Sequence, residues 1–502
     1  MRISEALRDK YFLLLLFFAI VFVIYWVAYG MYRYDNFLTL YFDLGDYTSS
    51  MYQHLYCLNT LPGLQYLVVI NHVSPLLLFF LPIFAIYPSP LALYLIQDVF
   101  LALTAITIYI VSVDVAGSKK ISFAFAFAFL INPGVRALAL DDVHVEAFIA
   151  LFYILAFYFF WKGNRRYFAL SFILLLCVED IALPIDIALL MGLFFYEIRY
   201  NRKKGKASRL DMIAIGGVLT ALFAVFYLGV SAYLASHYSM PPYSAVQPIQ
   251  KDINFFMQQV KTLNNTNAQY VATGAIWIWA ILGLILIFLG FGFTSLADIV
   301  FSLLLFSAWI LEAFVVRDPL LSTFEGQYYG LVIGASFVAA LVGLMIMKDR
   351  YAPILTRRYR EKYENAVFLL ILVTALVLSL ATLPLVNVWS TLLFRGAPSF
   401  NYAQLNSVIA MIPHNASVMA QEGFTAHLFY ICNLEIPPER LTNPVEPLNI
   451  PLWTRPDYII IDSNLPYYSN FNTSSFSIRN YTRFNYTEIY NNSGVVLYKE
   501  RS

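Results

Sequence analysis

The sequence predicts a polytopic α-helical membrane protein with a small extracytoplasmic α/β domain at its C-terminal end. Three observations predict it. Of 502 residues, 60% are hydrophobic and 13% charged, where a soluble globular chain carries roughly 25% charged residues. The apolar residues gather in long runs, and mean hydropathy is +0.66. After residue 388 those runs shrink to strand length, and polar and turn residues rise. Net charge is +1, so no basic excess points to nucleic acid as a partner. Membrane lipids are the expected surroundings, and nothing in the sequence marks an oligomeric state.

A spanning helix needs about 20 apolar residues, and Lys and Arg concentrate in short cytoplasmic loops. The basic N-terminal stretch MRISEALRDK is expected inside. The run from Tyr11 to about Tyr29 has no small-residue cleavage site after it and reads as a retained first helix. It exits into a long outer loop, 31–88. That loop ends in SPLLLFFLPIFAIYPSP, which is too short and too rich in proline to span, so an amphipathic or re-entrant piece at the outer surface is expected there. Helix 2 follows from about Pro90 to Val113 and lands on GSKK. Two hairpins come next, 121–132 with 146–161 and 167–178 with 181–196, each returning to a basic loop, WKGNRR or YEIRYNRKKGKASR. Further helices are expected over 212–234, 273–293, 296–316, 327–347 and 366–388, which makes about 11 in all. The expected domains are 1–388, transmembrane, and 389–502, extracytoplasmic α/β, in a cell-membrane protein with a cytoplasmic N-terminus.

Two distributions support this threading. The five inner segments carry three, two, three, six and six Lys or Arg, 20 of the 32 in the chain. The six Asn-x-Ser/Thr sequons, at Asn264, Asn415, Asn472, Asn480, Asn485 and Asn491, all fall on outer segments, the face on which glycosylation occurs. Chance in polar loops is the plain alternative. Cys57 and Cys432 both fall outside and can pair, leaving Cys177. In the tail, NYAQLNSVIAMIP has helical spacing, SVMAQ, PDYIIIDS and GVVLYKE read as strands, and EGFTAHLFY reads as a helix. Asp462 ends a strand near His414 and His427 without the spacing of a triad or a metal site.

The candidate chemistry lies on the outer side. Asp43 and Asp46 sit among aromatics in FDLGDY, and His72 follows in the same loop. The two hairpin turns carry Asp141, Asp142, His144 and Glu146, and the pair Glu179 and Asp180. Solvated loop acids are the structural alternative. The flanking helices are short, however, so these turns are expected below the headgroups in an outward-facing cavity, where carboxylates are costly unless they do a job. One carboxylate can act as a general base on a hydroxyl. Asp43, Asp142 and His144 form a hard oxygen-plus-imidazole set suited to Mg²⁺ or Mn²⁺. The same groups suit a proton-coupled transporter.

FDLGDY, NHVSPLLLFFLPIFAIYPSPLALYLIQ, NPGVRALALDDVHVEAF, the VED pair, EGQYYG and the tail segments IPHNASVMAQEGFTAHLF and PDYIIID together resemble a family of uncharacterised multi-pass membrane proteins common in archaea and some bacteria. That family's layout is in turn similar to the GT-C glycosyltransferases, which take sugars from polyprenyl- or dolichyl-phosphate donors. The resemblance implies a GT-C-like membrane domain with Asp43 as the acidic residue of the first loop and Asp46 as its rival. It matches His72, the turn residues Asp142, His144 and Glu146, and Glu179 with Asp180. Arg136 and His72 are candidates for the lipid phosphate. Val178 stands where the family has a Lys, which removes a phosphate contact. Gln327-Tyr328 stands where a His-Tyr pair is common. The implied function is a glycosyltransferase-like protein using a lipid-phosphate-linked sugar donor at the extracytoplasmic face. Its rivals are a transporter of a small solute or lipid, against which stand the odd helix count and the lack of a detectable repeat, and a membrane scaffold with a surface-binding tail.

Overall fold

The computed structural model describes residues 8–37, 39, 42–57, 73–140, 142–202, 207–238, 291, 293–311, 330–351, 357–394, 402–420, 422–435, 456–462 and 486–501. The chain forms two compact units, one of residues 1–26, 71–77 and 95–386, the other of 27–70, 78–94 and 387–502.

The first unit is helical. Among the described residues six helices are long and apolar enough to cross a membrane: Lys10–Asp35, Pro90–Ala116, Val145–Lys162, Leu210–Val230, Val332–Asp349 and Glu361–Leu380. Lys119–Leu130 and Pro133–Leu140, bent by 41°, count as a seventh if taken as one span. The expected total of about 11 also included two hairpin helices, the 12-residue Arg165–Leu176 and Leu183–Tyr196, which runs on through a π-helical turn, Glu197–Asn201, and the 273–293 run, which lies almost wholly outside the described residues. Val145–Lys162 and Val332–Asp349 are largely buried, whereas Lys10–Asp35, Leu210–Val230 and Glu361–Leu380 expose most of their apolar side chains. Ile24, Val225 and Leu380 are each more than half exposed. Apolar surface of that extent belongs in lipid, not water.

The inner helices pack closely. A Cβ on Gly343 would stand 1.8 Å from the carbonyl oxygen of Thr294, so only a residue without a side chain lets the two backbones meet. Polar contacts gather at the helix ends that bear the basic loops. Asp9 accepts from Tyr109 Oη at 2.6 Å and pairs with Lys119 Nζ at 3.1 Å. Lys162 pairs with Asp114, Arg165 with Asp211, and Arg199 with Asp298. Lys348 Nζ donates to the Ala116 carbonyl at 2.7 Å, at the C-terminus of its helix.

Two expectations change. The run at 296–316 is not one helix: a 3₁₀ turn, Thr294–Asp298, leads to Ile299–Leu305, and a new helix, Ser307–Leu311, starts after Phe306. Side chains compete for the backbone here, with Ser302 Oγ donating to Ser295 O and Ser307 Oγ to Leu304 O, both at 2.8 Å. The last helix runs over Arg357–Phe394, so RRYREK, expected as loop, forms its first turns. Those residues are strong helix formers.

The second unit is built on a five-stranded sheet. Its strands are β1 (Ser417–Ala420), β2 (Asn433–Glu435), β3 (Tyr458–Asp462), β4 (Tyr486–Asn492) and β5 (Val495–Glu500), in the order β2-β1-β3-β5-β4. β1 is parallel to β2 and β3, while β3–β5 and β5–β4 are antiparallel. β1, β3 and β5 match the three expected strands, and the polar β2 and β4 lack the apolar pattern that would have marked them. The helix Tyr402–Ile409 covers one face, with Leu405, Val408, Val418, Ile460 and Leu497 in the core. EGFTAHLFY gives only the short helix Glu422–Thr425.

Most of the first loop, all but residues 71–77, belongs to this unit. Phe37, at φ 52°, turns the chain out of the first helix and buries its ring in the tail's core. His427 lies between two rings, 3.7 Å from Phe37 and 4.2 Å from Tyr34, both stacked. The helix Phe42–Tyr56 packs against Glu422–Thr425, and a Cβ on Gly45 would fall 1.9 Å from Thr425 Oγ1. Cys57, just past that helix, forms a disulfide with Cys432 across a sequence separation of 375 residues.

Burial pushes the His427 imidazole down from 6.5 to about 3, against a smaller opposing hydrogen bond to the Tyr34 backbone. The folded unit therefore holds His427 neutral, and this stability, complete above pH 6.5, is lost as pH falls toward 3. Thermal unfolding should shift downward across that window, and His427→Gln should flatten the dependence. Reducing Cys57–Cys432 should cost roughly 2–4 kcal/mol by the usual range for a native bridge, read as a lower melting temperature that the double Cys→Ser variant reproduces without reductant.

Candidate functional site

The first hairpin turn is built by local sequence. Ile131 ends the Lys119–Leu130 helix, Asn132 Oδ1 accepts from Gly134 N at 2.8 Å, and Pro133 opens the helix Pro133–Leu140, the places where Asn and Pro are preferred. After Leu140 the chain extends at His144 and enters a 3₁₀ turn, Val145–Phe148, which leads into Ile149–Lys162. Asp142, His144 and Glu146 are all fully buried. Arg136 is half-buried, and its Nη1 donates to Ser379 O at 3.2 Å.

Gln97, from the Pro90–Ala116 helix, holds this turn closed. Its Nε2 donates to Leu138 O at 3.1 Å, and its Oε1 accepts from His144 N at 2.7 Å. One side-chain amide thus satisfies a carbonyl near the end of one helix and an N–H ahead of the next, with no water needed.

The second turn repeats the design. Cys177 ends Arg165–Leu176, Glu179 is extended, and the 3₁₀ turn Asp180–Ala182 leads into Leu183–Tyr196 with Pro184 in its first turn. Glu179 and Asp180 are both fully buried. Leu76 N donates to Cys177 O at 2.8 Å, so the end of the first loop is tied to this turn within the first unit. In both turns an acid, Glu146 or Asp180, occupies the first turn of the helical stretch that follows. Carboxylates there answer the positive end of the helix dipole, which is a structural reason for part of the acidity.

In the second unit, Asp46 is half-buried on the helix Phe42–Tyr56, and Asp43 lies on the same helix. The Asp43 side chain, His72, Asp141, Gln327 and Tyr328 lie outside the described residues, as do Asn264, Asn472, Asn480 and Asn485. Asn415 and Asn491 are exposed, on a turn and at the end of β4. Asp142 and His144 share one turn, but among the described residues no three His, Cys, Asp or Glu side chains come together as a metal site.

Three polar residues escaped the sequence reading. Gln97 is hidden in an otherwise apolar helix. Asp98 and Asp186 are fully buried, and neither carboxylate of this pair has a hydrogen-bond partner among the described residues. Tyr153 is also fully buried. An acid inside an apolar run was the available signal.

Gln97→Leu should leave the His144 N–H and the Leu138 carbonyl buried without partners. The cost is about 1–3 kcal/mol for each group, so a clear fall in melting temperature of the detergent-solubilised protein is expected, with Gln97→Glu milder at low pH, where the protonated acid keeps both the donor and the acceptor.

No curated protein matches the chain. A family model described as "Predicted membrane protein (DUF2079)" matches residues 23–497, nearly the whole chain including both hairpin turns and the sheet, and the protein belongs to that family of membrane proteins of unknown function.

Proposed function

We propose that the protein is a glycosyltransferase-like membrane enzyme that takes a sugar from a polyprenyl- or dolichyl-phosphate donor at the extracytoplasmic face. The observation that carries this reading is the pair of buried acidic turns. Asp142, Glu146, Glu179 and Asp180 are all removed from solvent on two similarly built hairpins. The helix dipole accounts for one acid in each turn, and carboxylates buried in an apolar helix bundle commonly mark a functional site. The Cys57–Cys432 disulfide supports an oxidising, extracytoplasmic location for the second unit, and the six sequons agree with it.

In this reading Asp43 or Asp46 deprotonates or orients the acceptor hydroxyl. Arg136 and His72 meet the donor phosphate, an anion suited to a guanidinium. Asp142, His144, Glu146, Glu179 and Asp180, with Gln327 and Tyr328, bind donor or acceptor, and the tail guides the acceptor.

Buried Asp98 and Asp186 favour the second reading, a transporter of a small solute or lipid. Carboxylates within an apolar helix bundle commonly mark ion or proton paths, and the transferase reading leaves these two without a role. Sugar transfer from a labelled polyprenyl-phosphate donor by reconstituted protein, compared with solute uptake by the same proteoliposomes, separates the two. Loss of the general base costs roughly 10²–10⁴-fold, so Asp43→Asn or Asp46→Asn should lower transfer by that factor while melting temperature is kept. Full transfer in both variants removes the proposed base, and uptake without transfer overturns the enzyme.

A further inference from the structure

We infer that the short helix Leu81–Ile86 and its flanks are a lipid-contacting anchor, through which the disulfide-linked second unit rests on the bilayer surface. Phe79, Ile83, Ile86 and Tyr87 are 60%, 45%, 85% and 54% exposed, whereas Phe80 and Phe84 on the opposite side are buried. Four large apolar side chains are thus presented outward by a stretch of nine residues, 79–87, and residues 73–97 contain no charged side chain. In water such a face would be an aggregation liability.

The chain itself names the occupant. Tyr87-Pro88-Ser89-Pro90 cannot continue a helix, so the backbone turns there, Ser89 Oγ accepts from Leu91 N, and the spanning helix Pro90–Ala116 begins at once. A segment that ends where a membrane helix starts lies at the height of the membrane boundary. At six residues the helix is far too short to cross. An apolar face with a tyrosine beside it is the composition of an interfacial helix. The partner is therefore the acyl and headgroup boundary of the bilayer in which the protein resides. Tyr56 Oη donates to Ala85 O at 3.2 Å, so the anchor is bonded directly to the end of the Phe42–Tyr56 helix that carries Asp46. The lipid surface then sets the height of that helix. This inference is independent of the transferase reading.

Site-directed spin labelling of the full chain in phosphatidylcholine vesicles tests it. Ile86→Cys is labelled in a Cys177→Ser background, with Cys57–Cys432 left oxidised, and Ile489→Cys on β4 serves as the reference. The expected result is a ratio of oxygen to nickel-chelate accessibility several-fold higher at position 86 than at 489, with a depth just below the phosphates. An equal ratio means a water-facing patch, low accessibility to both reagents means a protein partner, and a bilayer-centre depth means a re-entrant segment. Each of these overturns the anchor. Phe79→Cys, labelled in the same way, should match Ile86→Cys.

Discussion

The Gln97 amide is the contact that lets a turn full of polar groups lie inside an apolar bundle. Helix ends leave backbone groups without partners, and in a bilayer no water is at hand to take them. The two hairpins avoid this in the same manner, by importing a partner from elsewhere in the first unit. The first turn receives a side chain that bonds Leu138 O and His144 N together. The second receives a backbone N–H, from Leu76 to Cys177 O. Both turns then enter the next helix through a 3₁₀ segment with an acid in its first turn. Burial of the carboxylates follows from this arrangement, since the turns could not lie so deep if their backbones still needed solvent.

Depth in turn depends on helix length. Arg165–Leu176 has 12 residues, well short of the about 20 that a span requires, whereas Leu183–Tyr196 runs on through the π-helical turn Glu197–Asn201. The long helices Val145–Lys162 and Val332–Asp349 make the buried centre against which the short ones stack, and the exposed apolar helices form the rim. Gly343 marks how tight the centre is, because its backbone approaches Thr294 where no Cβ would fit.

The sequence was readable where one property dominated. Long apolar runs announced most helices within a few residues, and the apolar strands β1, β3 and β5 announced the sheet. It was misread where two tendencies competed. The serines near 295–307 look apolar enough on average for one helix, yet their hydroxyls bond nearby carbonyls and the helix breaks at Phe306. The charged start of Arg357–Phe394 looks like a loop by hydropathy and is a helix by propensity. For the site, the acidic turns stood out because charge is rare there. Gln97 did not, because an amide in an apolar helix acquires meaning only from what it faces. The Cys57–Cys432 pair was visible as an opportunity, but the fact that the first loop folds with the tail depends on Phe37, Gly45 and His427 meeting residues nearly 400 positions away (a separation of this size leaves no local periodicity to read).

That last point bears on how function is assigned. A helix carrying two acids directly after a first membrane span would ordinarily be counted with the membrane domain. Here it is built into the second unit by a disulfide, a glycine contact with Thr425 and the burial of Phe37 in the tail's core. The tail is then not an appendage to a complete membrane machine, because it supplies the support of the FDLGDY helix. A chain cut after residue 388 would keep both hairpin turns and lose the partner of Cys57, the ring that stacks on Phe37 and the surface under Gly45.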